Sequence, residues 1–128
     1  MSDEDFLESF ESGSLAEFHH RDHIRMTWLY LRRDGLIAGP PRVATEIQRF
    51  AAARGAAAHY SETVTRLWIR LVAASIAADG PANSFEKFVE AHPELLNKDH
   101  ALLFYRRETL ASPTAKARWV EPDLEPLP

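Results

Sequence analysis

Apolar residues in this chain recur at three- and four-residue intervals, and no segment alternates between apolar and polar as a half-buried strand would. That feature restricts the chain to helices. Ile24, Trp28 and Leu31 keep the spacing in "FHHRDHIRMTWLYL", Val43, Ile47 and Phe50 keep it in "RVATEIQRF", and Val64, Trp68 and Leu71 keep it in "TVTRLWIRLV".

Punctuation divides the pattern. Ser14 followed by Glu17 has the form of a capping box and Gly35 supplies a stop, which predicts a first helix over about 15–33. Pro41 suits the start of a second helix, over about 42–54, that ends at Gly55. The third, "AAHYSETVTRLWIRLVAASIAADG", is closed by Gly80 and Pro81. Shorter helices are predicted in "NSFEKFVEAHP", with Phe85, Phe88 and Val89 inward, around 98–106, and over about 113–118 behind Ser112 and Pro113. The predicted fold is all-α, a compact helical bundle of three principal helices plus short C-terminal helices. Residues 1–13 read as a flexible acidic lead-in, with Phe6, Leu7 and Phe10 packing as a short turn or helix. Residues 14–120 read as a single helical domain, and 121–128 as an extended proline-rich tail.

Composition narrows the function. The chain has 128 residues, a formal charge of -4 and no cysteine, so thiolate chemistry and cysteine metal sites are excluded. Its basic residues are scattered and the net charge is negative, which argues against nucleic acid as a partner. No run is long and apolar enough to span a membrane, and the acidic start does not have the form of a secretory signal, so a soluble cytoplasmic protein is expected.

The densest chemistry lies in "HHRDH", three histidines in five positions. At about 100° per residue, Arg21, Asp22, Arg25 and Arg32 share one arc while His19, His20 and His23 share the opposite one. If the charges face water, the imidazoles face other helices. His19 and His23 are then neighbours one turn apart, as the two imidazoles of an HExxH zinc helix are, but the glutamate of that motif is replaced by His20. On the third helix Glu62 falls at the edge of the inward face, Ser61 within it and His59 opposite. The candidate metal set is therefore His19, His23 and Glu62 with His59 in reserve, for a divalent Fe, Zn, Mn or Cu ion, and no organic cofactor is indicated. In a metal-free alternative, His20 or His23 with Glu62 forms a base and its orienting carboxylate, suited to isomerisation, cyclisation or dehydration. In a third reading the imidazoles hydrogen-bond to Tyr30, Thr27 or Glu62 and only stabilise packing. Asp22 reads first as an ion-pair or capping partner.

With "FHHRDHIRMTWLYL", "YSETVTRLW" and "LASPTAKARWVEPD" in view, residues 18 to 123 resemble a family of small, all-helical, largely uncharacterised bacterial proteins with an HHxDHIRxxWxYL helix and a YHET segment. The resemblance implies an active or metal site and singles out His19, His20, Asp22, His23, Tyr60, Glu62, Thr63 and Tyr105. It also marks a departure, because Ser61 stands where the family has a histidine. The main functional expectation is thus a small metal-dependent enzyme acting on a small molecule, with His20, Glu62 and Tyr105 as catalytic candidates. The alternatives are the metal-free acid–base enzyme and a noncatalytic helical interaction protein with a structural histidine network. Association as a homodimer is a further expectation.

Overall fold

Gly35 decides how the first half of the chain runs. In the computed structural model, which describes residues 1 to 128, it has φ of 88° and ψ of 178°, a conformation closed to residues with a side chain. Helix α2 (His20–Ala53) therefore has two limbs that meet at this residue. A stop at Gly35 was predicted, but the helix resumes at once, and Pro40 and Pro41 lie inside the second limb. Gly39 allows the return, since a Cβ there would stand 2.7 Å from Leu31 Cδ2 and 3.1 Å from the Leu31 Cα. The second limb thus crosses close against the end of the first.

The start of α2 also differs from its predicted position. Residues 15–19 are not helical, and His19 is the N-cap, with extended backbone. Its N–H donates to Asp22 Oδ2 at 2.8 Å, so Asp22 takes the capping role rather than Glu17. Ser14 is used elsewhere, its N–H donating to the Ser9 carbonyl just beyond α1 (Asp3–Glu11). Phe18 is drawn away from a helical path into an aromatic stack, with ring centroids 5.6 Å from Phe10 and 4.6 Å from Phe50.

The chain divides into two compact units, residues 1–60 and 61–128. Both are helical and neither contains a strand. In the first, α1 carries Phe6 and Phe10 into the core, and Phe10 stacks on Phe50 at 4.8 Å. Arg25 pins the start of α1, meeting Asp3 Oδ1 at 2.8 Å and lying 4.5 Å from the Phe6 ring centroid. Ile24, Trp28 and Leu31 are buried as their helical spacing predicts, and Met26, Thr27, Leu29 and Tyr30 are buried with them, so this stretch of the first limb is enclosed on all sides. A 3-10 turn at Ala57–His59 leads out of this unit.

The second unit is built on α3 (Glu62–Asp79), which buries Leu67, Trp68, Leu71 and Val72. Ser61 is its N-cap and accepts from the Val64 N–H at 3.2 Å. Helix α4 (Phe85–Ala91) buries Phe85, Phe88 and Val89 as predicted and is capped by Ser84. Two 3-10 turns, Pro93–Leu96 and Lys98–Leu103, precede α5 (Arg107–Leu110) and α6 (Pro113–Ala117), the latter capped by Ser112. His92 joins α3 to α4 through contacts of 3.2 Å to Asp79 and 3.7 Å to Glu94. After α6 the chain is extended and tied down. Thr63 Oγ1 donates to the Arg118 carbonyl at 2.7 Å and accepts from the Val120 N–H at 3.0 Å. Leu124 N–H donates to the Phe104 carbonyl at 3.0 Å, and Asp123 accepts from the Arg106 N–H at the same distance.

Candidate functional site

The three histidines do not share a destination. His19 precedes the helix, so the 100°-per-residue reading does not apply to it, and His19 and His23 are not paired on one helical face. Its side chain is 70% exposed, with Nε2 2.9 Å from Glu17 Oε2. An ion pair so open to water contributes little. His20, the first helical residue, is half-buried, and its ring stands edge-on to His23 at 6.3 Å. His23 is part-exposed as a residue too, but it turns its Nε2 inward. Its Nε2 is out of contact with water and has no hydrogen-bond partner, and its ring lies 6.3 Å from that of Phe18. Burial, followed by the charge of His20, lowers its pKa to about 4. The imidazole is neutral at physiological pH.

The other candidates have structural engagements of their own. His59 is exposed in the 3-10 turn, outside α3. Glu62 forms an ion pair with Arg66 one turn on, at 2.7 Å. Ser61, besides capping α3, donates to the Ala115 carbonyl at 3.3 Å, so the serine fills a local role of its own. Tyr105 is wholly buried and donates to the Val120 carbonyl at 2.6 Å. Burial, followed by the charge of Glu121, pushes its phenol up to about 12. A phenol so placed anchors the tail and holds its proton.

These positions correct the expectation of a metal site. No group of three or more His, Cys, Asp or Glu side chains is arranged to hold a metal ion. The set His19, His23, Glu62 and His59 is not a ligand shell, and the Fe, Zn, Mn or Cu cofactor falls with it. The metal-dependent enzyme, and the enzymatic leaning that rested on a histidine cluster, fall too. A further prerequisite was wrong at the level of local structure, because the His19–His23 pairing needed a helix that had already begun at residue 15.

One polar assembly went unnoticed in the sequence. Glu46 is only 3% exposed, yet it is a carboxylate, held by Arg49 at 2.8 Å and Arg42 at 3.3 Å. Arg42 also reaches Glu11 at 3.4 Å, and Glu11 accepts from the buried Tyr30 hydroxyl at 2.7 Å. Burial and the hydrogen bond to Glu11 keep the Tyr30 phenol protonated well above its ordinary range. The network ties α1 to both limbs of α2. Its signal was present in the three- and four-residue spacing of Arg42, Glu46 and Arg49.

Against this, the bend of α2 carries apolar side chains in the open. Leu36 is 41% and Ile37 93% exposed, and Arg32 and Arg33 beside them are exposed as well. No helix is long and apolar enough to cross a membrane. Compared with protein-family models, curated proteins and solved structures, the chain matches none.

Proposed function

We propose that this chain is a noncatalytic interaction protein, working in the cytoplasm, whose contact point is the bend of α2. The observation that carries the reading is Ile37, a large aliphatic side chain left 93% exposed next to Leu36 on a bend that Gly35 fixes. Fully burying such a side chain is worth about 1.5–3 kcal/mol, so a partner with an apolar pocket gains from receiving it. Arg32 favours an acidic group on the rim of that pocket, Arg33 being paired with Asp34 at 3.1 Å. The likeness to the family with the HHxDHIRxxWxYL helix fits the same reading. In this chain its residues serve as cap (His19, Asp22) and core (Ile24, Met26, Trp28, Tyr30), a scaffold pattern.

The test is site-specific photocrosslinking in cells, with a benzophenone side chain at position 37 and, as control, at exposed Gln48. A discrete adduct is expected from position 37 alone, competed away by excess unlabelled protein but not by the Ile37→Asp variant. Equal adducts from both positions, or adducts that Ile37→Asp competes equally well, would contradict the reading.

A further inference from the structure

The first turn of α2 places imidazoles where positive charge is least welcome. The unpaired N–H groups of a helix start make that end electropositive, so an imidazolium there is disfavoured, the reverse of its effect at a C-terminus. His19 is the cap, His20 the first helical residue, and His23 lies one turn in, its N–H donating to the His19 carbonyl at 3.1 Å. A proton on His23 would add charge to a ring whose Nε2 has neither water nor an acceptor within reach.

Nothing around the ring offsets that charge. His20 is the one ionisable group whose charge bears on His23, and it acts against protonation. The nearby carboxylates are committed, Glu17 to the His19 ring and Asp22 to the His19 N–H. Elements α1 and the second limb of α2 reach Phe18, the ring beside His23, through Phe10 and Phe50. The charged groups beside those two rings are engaged as well, Glu11 with Tyr30 and Arg42, and Arg54 with the Leu15 carbonyl and the Phe50 face.

We propose that this turn is an acid-sensitive latch, closed while His23 is neutral and opened when that ring takes up a proton, releasing Phe18 from its stack on Phe10 and Phe50. The sign follows from linkage. The opened segment binds protons with the ordinary histidine affinity while the closed one resists until about pH 4, so closure weakens as pH falls below about 6.5 and the effect saturates near 4. Between pH 7.5 and 5 the opening equilibrium should rise roughly 30-fold.

Amide hydrogen exchange on the full chain tests this, read as protection factors, which remove the intrinsic pH dependence of exchange. Protection at residues 23–27 should fall roughly 30-fold from pH 7.5 to 5, with amides 67–72 in α3 holding theirs. His23→Leu should abolish the fall, and His20→Asn, which removes the opposing charge, should reduce it. Unchanged protection in the wild type, an equal fall in α3, or a full-size fall in either variant would overturn the latch. If His23→Leu does not fold, the wild type and His20→Asn decide the matter between them.

Discussion

Replacing Phe10 with alanine is expected to destabilise the protein by about 3–5 kcal/mol, the range for removing a large aromatic from a packed core. The size of the effect follows from position. Phe10 is 1% exposed and stacks on both Phe18 and Phe50, so its loss leaves a void bordered by α1, the start of α2 and the second limb. Neighbouring helices cannot easily close it, because Arg25 with Asp3 and Tyr30 with Glu11 hold α1 in register. Urea denaturation followed by tryptophan fluorescence checks this. A midpoint shift worth less than about 1 kcal/mol would show that α1 is an ornament and not part of the core.

Thr63→Val is expected to cost about 2–3 kcal/mol and to loosen the C-terminal segment. The substitution preserves shape but removes a hydroxyl that serves two backbone groups at once, the Arg118 carbonyl and the Val120 N–H, and leaving such groups unpaired costs more than the bonds themselves contribute. Thr63→Ser keeps the hydroxyl and should retain most of the stability. Trypsin offers a second readout, since Lys116 and Arg118 flank the anchored stretch and should be cut faster in the valine variant. Equal cleavage rates in valine and wild-type proteins would refute the anchoring role.

Helices were legible wherever local chemistry and burial agreed. Ser112 caps its helix and Pro113 starts it as their sequence context predicts, and Phe85, Phe88 and Val89 turn inward as their spacing predicts. The failures lie where a residue had two offers. Ser14 and Glu17 form a plausible capping pair in the sequence, but Ser14 donates to Ser9 at the end of α1 and Phe18 gains more from Phe10 and Phe50 than from a helical path. Gly35 was legible as a break, but that the helix would resume immediately depended on the close approach of Gly39 to Leu31, a tertiary contact.

The same displacement explains the candidate site. Placing the helix start five residues too early put His19 on a face it does not occupy and created the two-imidazole pairing on which metal chemistry rested. For His23 the periodicity gave the right direction, since its Nε2 is shut off from water. That it would lack an acceptor could not be read from spacing, since it depends on Asp22 and Glu17 being turned to His19 instead.

The central claim is that "HHRDH" is a helix start, fixed by a cap and a neutral ring whose Nε2 is closed off from water, and not a ligand set. Calorimetric titration of tag-free protein with Zn(II), and anaerobically with Fe(II), tests it most directly, run in parallel on His23→Ala. The account predicts no saturable stoichiometric binding in either protein. One equivalent bound tightly by the wild type and lost in His23→Ala would contradict it.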